Sequence, residues 1–162
     1  MKANNCPVCG MDASATQITT EYLGISHHFC SQQCLENFTS RPLLYLGIKS
    51  QKQNGKSLLK RRTFMLDSSI PKSGEDSLKS VLTEMMGVRE AQVSGAKVSV
   101  TYDLLEATAM QIEQTLEQAG TKLGAGWADQ LKRGWVHYTE ENALDNLAAT
   151  DAPCCNKPPT KR

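Results

Sequence analysis

The stretch Cys6-Pro7-Val8-Cys9-Gly10, answered further along by Phe29-Cys30-Ser31-Gln32-Gln33-Cys34, decides how the first part of this chain folds. Thiols spaced C-x2-C and C-x3-C each span one edge of a tetrahedron without stretching the backbone. The expectation is a closed site for a thiophilic metal ion held by Cys6, Cys9, Cys30 and Cys34. Zn2+ is the first candidate, with Cu+ or another thiophilic ion as the alternative. Buried free thiols or a C-x-x-C redox pair compete with this reading. Pro7 and Gly10 fit poorly with a redox pair, which opens a helix in a βαβ setting.

Working outward, Thr16–Tyr22 and Ile25–Phe29 are β-prone runs around Leu23-Gly24, the pattern of a hairpin. Ser31 is placed as a helix N-cap, Cys34 falls in the first turn, Leu35 and Phe38 share a face, and Arg41-Pro42 ends the element. A helix N-terminus favours negative charge, so Cys34 is positioned to be a thiolate. Cys6 to Gly10 reads as a metal knuckle with Gly10 at positive φ. A module spanning 1–46 is too small for burial alone to stabilise it, whereas structural zinc supplies about 10–16 kcal/mol of apparent binding energy. His27 and His28 point to opposite faces of a strand, so at most one can face a metal, and packed strand residues are the preferred reading. Met11 is expected in the core and not as a thioether ligand.

Cys6-Pro-Val-Cys9-Gly-Met11, then Tyr22 and Gly24, His28-Phe29-Cys30-Ser31, Cys34-Leu35, Phe38, Pro42 and Tyr45 together resemble a YHS domain, of the TRASH group of treble-clef-like metal modules. The resemblance covers about residues 5 to 46. It implies heavy-metal binding, with the family ligands on Cys9, Cys30 and Cys34 and with Cys6 standing where many members have aspartate. The added thiol favours closed zinc coordination over an open transfer site.

Charge marks the next boundary. Residues 49 to 62 carry six cations, Lys49, Lys52, Lys56, Lys60, Arg61 and Arg62, and no acid. With no interleaved aromatics in a chain of net charge +1, this run reads as a solvated linker over 47–61 and not as a nucleic-acid interface. No apolar run reaches the roughly 18 residues a membrane span needs, and the N-terminus has no signal-peptide pattern. Cysteines confined to the two ends argue against a disulfide framework. The expectation is a soluble protein of a reducing cytoplasm.

From Arg62 the periodicity changes to βαββα. Thr63–Leu66 reads as a strand, and Glu75 to Met86 carries Leu78, Val81, Leu82 and Met85 at helical spacing before Gly87. Arg89–Ser94 and Lys97–Tyr102 alternate as a hairpin, and Ala109–Ala119 repeats the helical period through Met110, Ile112 and Leu116. The fold class expected is α+β: a small treble-clef-like module, then a ferredoxin-like βαββα(β) domain over 62–125, then a helical segment. Gly87-Val88, Ala91, Val93, Val98, Val100, Tyr102-Asp103, Ile112, Thr115-Leu116 and Ala119-Gly120 resemble a heavy-metal-associated domain, the fold of copper chaperones. Counting back from Gly87-Val88, that family's M-x-C-x-x-C loop falls on Ser69 to Gly74, with Pro71 and Gly74 at the cysteine positions. The resemblance therefore implies a domain that has lost its metal loop and keeps either a docking surface or a general scaffold role.

Over 126–149, Trp127, Leu131, Trp135 and Tyr138 recur on one helical face, Thr139 is placed as a second N-cap, and Leu144 and Leu147 follow. The stripe is expected to pack on the preceding domain, with a partner-binding helix as the alternative. The tail 150–162 holds Cys154-Cys155, too close for a relaxed disulfide and suited to an auxiliary soft-metal dithiol.

The leading expectation is a non-enzymatic heavy-metal-binding protein in metal homeostasis, trafficking or sensing. A structural zinc module in an interaction or regulatory protein is the first alternative. A [2Fe-2S] electron carrier is the second. No nucleophile paired with a base and no phosphate-binding glycine loop is present to support catalysis. Expected partners are the metal ion, a metal-transport ATPase or other metal-handling protein, and a second copy of the chain.

Overall fold

The computed structural model describes residues 5–47, 50, 52 and 54–149. The N-terminal module starts with the Cys6–Met11 knuckle, in which Gly10 N–H donates to the Cys6 carbonyl and Cys6 N–H to that of Met11. Gly10 takes φ +78°, a conformation that strains any residue with a Cβ. Strands β1 (Thr19–Tyr22) and β2 (Ile25–His28) form the expected hairpin. Its turn puts Leu23 and Gly24 both at positive φ, the backbone that matches strand twist in a two-residue hairpin. Helix α1 (Gln32–Ser40) follows, capped by the Ser31 hydroxyl, which accepts from Cys34 N–H at 3.3 Å. A 3-10 turn at Pro42–Leu44 closes the module. Knuckle, hairpin and helix make the treble-clef-like arrangement.

The core of this module is aromatic. Phe38 lies 5.1 Å from Phe29, 5.2 Å from His27 and, edge-on, 5.9 Å from Tyr22. Val8, Ala13 and Leu44 fill the space around it. Met11 is exposed, against expectation. The knuckle is so short that its apolar side chain after the turn has no facing layer to enter.

The second unit begins earlier than its hydrophobic pattern predicts. Strand β3 runs over Leu59–Met65, taking its first residues from the basic stretch assigned to a linker. Of that stretch, Ser50 is buried with its hydroxyl donating to the Leu44 carbonyl, and Lys52 pairs with Glu106 and Asp103. Ion pairing to acids more than fifty positions away anchors a segment whose own composition is that of a linker. Helix α2 (Lys72–Glu84), strands β4 (Val88–Ser94) and β5 (Lys97–Asp103), and helix α3 (Ala109–Gln118) complete the βαββα run. The sheet is antiparallel in the order β3-β5-β4. Leu78, Leu82, Ile112 and Leu116 from the helices pack on Phe64, Ala91, Val98, Val100 and Tyr102 of the sheet, while Val81 and Met110 turn outward. The final strand of a ferredoxin-like fold survives as one antiparallel bridge, Leu66 to Leu123, after which Gly124 N–H closes on the Met65 carbonyl and the chain leaves the sheet.

Helix α4 (Trp127–Ala148) is continuous, so Thr139 caps nothing and its hydroxyl donates to the Val136 carbonyl within the helix. The packed face is also not the one expected. Val136, Glu140, Leu144 and Leu147 face the domain, and Trp127, Leu131, Trp135 and Tyr138, half a helical turn round, are exposed. Polar anchors explain the reversal. Glu140 accepts from Ala109 N–H at 2.8 Å and from the Tyr102 hydroxyl, and faces Arg62 at 3.5 Å. His137 meets Glu113 at 3.1 Å. Hydrophobic periodicity cannot register a helix face held by carboxylates and imidazole. Among the described residues no helix is long and apolar enough to cross a membrane.

Candidate metal centre

Three elements deliver one thiol cluster. The knuckle brings Cys6 and Cys9, the link between β2 and α1 brings Cys30, and the first turn of α1 brings Cys34. All four Sγ atoms lie within 4.8 Å of one another. Cys9 and Cys30 are 3.3 Å apart and Cys30 and Cys34 3.6 Å. A tetrahedral ion bound at the usual zinc–sulfur distance of about 2.3 Å requires sulfur–sulfur edges of about 3.8 Å. The cluster therefore needs only small side-chain adjustments to accept one. Cys6 and Cys34 are buried and the other two half-buried, which leaves the site closed on two sides.

The electrostatics of the bare cluster point the same way. The Cys34 thiol, then that of Cys9, donates to Cys6 and holds it far below the ordinary thiol range. That same Cys6 sulfur, then Cys9, then burial pushes Cys34 far above it. Cys9 is pulled down by Cys34 but driven up further by Cys6 and by burial, to about 12. Ionising Cys9 or Cys34 beside Cys6 meets like charge in a partly desolvated space. A cation at the centre removes that opposition, because its charge favours every thiolate at once.

Neither histidine joins the cluster. The His27 ring packs on Phe38, its Nε2 is buried without a hydrogen-bond partner among the described residues, and burial, then the neighbouring His28, lowers its pKa. Cys154 and Cys155 lie outside the described residues. In the ferredoxin-like unit, the Ser69–Gly74 loop is closed by packing: a Cβ at Gly74 would stand 2.9 Å from Ile70 Cγ2, and Ile70 N–H is bonded to the Gly95 carbonyl. Pro71 caps α2 with no side-chain donor to offer.

What the pattern of residues did not reveal is how α1 is seated. Gln33, beside Cys34, donates to the carbonyls of Met86 and Glu106 at 3.0 and 2.8 Å. Asn37 donates to Glu106 O at 2.7 Å and accepts from Gln111 at 2.9 Å. The Tyr45 hydroxyl donates to Leu105 O, and Arg41 meets Asp145 at 2.6 Å. Beneath them, buried Asp103 accepts from Leu58 and Leu105 N–H and from Ser57. Glu106 pairs with Lys52 and with Arg89. The acids within the Asp103–Glu106 run were the available signal, since carboxylates beside Leu104-Leu105 imply buried charge with a partner elsewhere.

Residues 5–49 match the YHS domain family. No curated protein matches the chain. Two solved structures are similar to part of it. One is described as a CopZ metallochaperone, 21% identical, with TM-score 0.38, covering 40% of this chain and all of its own. The other is a putative copper-ion-binding protein from Bacillus anthracis str. Ames, 20% identical, with TM-score 0.40, covering 43% of this chain and all of its own.

Proposed function

We propose that this chain is a non-enzymatic metal-binding protein whose Cys6, Cys9, Cys30 and Cys34 hold one thiophilic ion, Zn2+ in the first instance and Cu+ as the alternative. The observation that carries the reading is the convergence of four sulfurs from three segments of the module within 4.8 Å, two of them buried. The YHS match over the same residues supports it. A role in heavy-metal homeostasis, trafficking or sensing in the cytoplasm follows, with the ferredoxin-like unit as scaffold or docking face for a metal-transport ATPase or another metal-handling protein.

A second reading, that the metal only staples the module, is favoured by the burial of Cys6 and Cys34, since a closed shell of four protein ligands is what structural zinc sites share. Elemental mass spectrometry with thiol counting on natively purified protein, beside a Cys154→Ala/Cys155→Ala variant, separates the two. Copper or a second soft metal that is lost with the tail cysteines supports metal handling. One inert zinc in both proteins supports the staple. A metal-free, stably folded protein ends both readings, and a coloured iron-loaded one replaces them with electron transfer.

A further inference from the structure

Trp127, Leu131, Trp135 and Tyr138 are 79, 68, 68 and 59% exposed on the outer face of α4, and they include both tryptophans of the chain. Aromatic side chains carry about 150–250 Å² each, so four large side chains left open in one stripe form a patch of several hundred Å², the size that marks interaction surfaces. We propose that a second copy of this chain covers the stripe, the two α4 helices pairing antiparallel about a two-fold axis that crosses between Leu131 and Trp135.

Three features select a second copy. The spacing of four, four and three residues is nearly the same read in either direction, so the two-fold places Trp127 on the second copy's Tyr138 and Leu131 on its Trp135. Every apolar group thereby finds an apolar counterpart. No charged residue lies within the stripe, which gives a charged partner nothing to recognise, whereas Lys132 and Glu141 flank it as a rim. At its edge Gly134 presents no side chain, and a Cβ there would meet nothing within 4 Å, so no internal packing requires glycine at that position. A smooth helix edge lets two backbones approach closely.

The area is sufficient. Covering the stripe and its flanks on both copies buries roughly 1,000–1,200 Å², at the lower limit of specific interfaces, and predicts a reversible dimer. The pairing leaves the opposite face of α4, with Glu140 and Leu144, in its contacts with the domain.

Because both tryptophans sit on this face, their fluorescence reports the contact directly. Sedimentation velocity and emission spectra of the full, natively purified chain are recorded from about 1 to about 300 µM, the range in which an interface of this size associates. Expected is a shift from 17.8 kDa toward twice that mass, with a blue shift of the emission and loss of acrylamide quenching over the same concentrations. Trp135→Glu and Leu131→Glu, both on a solvent face, remain monomeric throughout with helical circular dichroism and metal content unchanged. A wild type that stays monomeric with quenchable tryptophans overturns the proposal. A dimer that survives in both variants also overturns it, since another face must then be responsible.

Discussion

The two α+β units of this chain hold themselves together in opposite ways. In the module over 5–47 the centre is a thiol cluster beside one aromatic stack around Phe38, with few aliphatic side chains to support it. In the ferredoxin-like unit the Ser69–Gly74 loop holds no cysteine, and Leu82, Val98, Val100, Ile112 and Leu116 form a continuous dry core. A unit with its own apolar core needs no metal to fold, whereas a unit too small to build one does. On the proposed reading, metal would be a structural requirement in the first unit and irrelevant in the second.

Removing the ion gives the largest break in that symmetry. Under reducing conditions a strong chelator, or Cys34→Ser, is expected to abolish amide protection in β1, β2 and α1, an effect on the order of the 10–16 kcal/mol that structural zinc contributes. Hydrogen exchange in β4, β5 and α3 stays at its native level. Equal protection of both units in metal-free protein would mean that the thiols are ordinary core.

The counterpart in the second unit is a carboxylate. Glu140→Ala takes the acceptor from Ala109 N–H and the Tyr102 hydroxyl and leaves Arg62 without its partner. Breaking a buried, hydrogen-bonded charge in this way costs about 3–5 kcal/mol. Urea unfolding of the ferredoxin-like unit measures it, and a loss under about 1 kcal/mol would show Glu140 to behave as a surface charge.

These two sites also differ in how far they could be read from the sequence. The thiols announce themselves because metal ligation needs fixed short spacings, and the hairpin turn, the Ser31 cap and the alternation of β4 and β5 are equally local signals. Glu140 could not be found this way. Its partners Arg62, Tyr102 and Ala109 come from three distant stretches, and its helix has its strongest apolar stripe on the wrong face. Lys52 and Glu106 fail for the same reason, since an ion pair is a property of the assembled fold and leaves no periodicity in either segment.

Backbone geometry supplies a smaller contrast. Gly87 holds φ +86°, and a Cβ there would come within 2.7 Å of Glu106 Cβ and 3.0 Å of Ala107 Cβ. Gly87→Ala therefore combines dihedral strain with a clash and is expected to cost about 2–3 kcal/mol in urea unfolding. Gly10 has a similar φ of +78° with nothing within 4 Å. There, alanine costs about 1 kcal/mol from conformation alone. Equal losses at both positions would show that the Glu106–Ala107 loop moves aside freely.

The smallest effect tests whether the units are separate at all. Gln33, in the capped first turn of α1, reaches into the other unit and donates to Met86 O and Glu106 O, while Asn37 also serves Glu106 O. Gln33→Ala leaves one carbonyl without its side-chain donor and one still satisfied, so the expected loss is about 1 kcal/mol. Its value lies in where that loss is felt. If α1 and the Glu106 loop unfold as one body, the variant lowers the stability of both units and the metal-free module still draws protection from the ferredoxin-like core. If they unfold independently, the loss is confined to α1 and vanishes in chelated protein, because the helix that carries Gln33 is no longer formed. Hydrogen exchange on wild type and Gln33→Ala, with and without metal, completes a thermodynamic cycle for that coupling. A coupling near zero would make the cysteine module a passenger, and one near 1 kcal/mol would make metal occupancy felt at Met86 and Glu106, on the neighbouring unit.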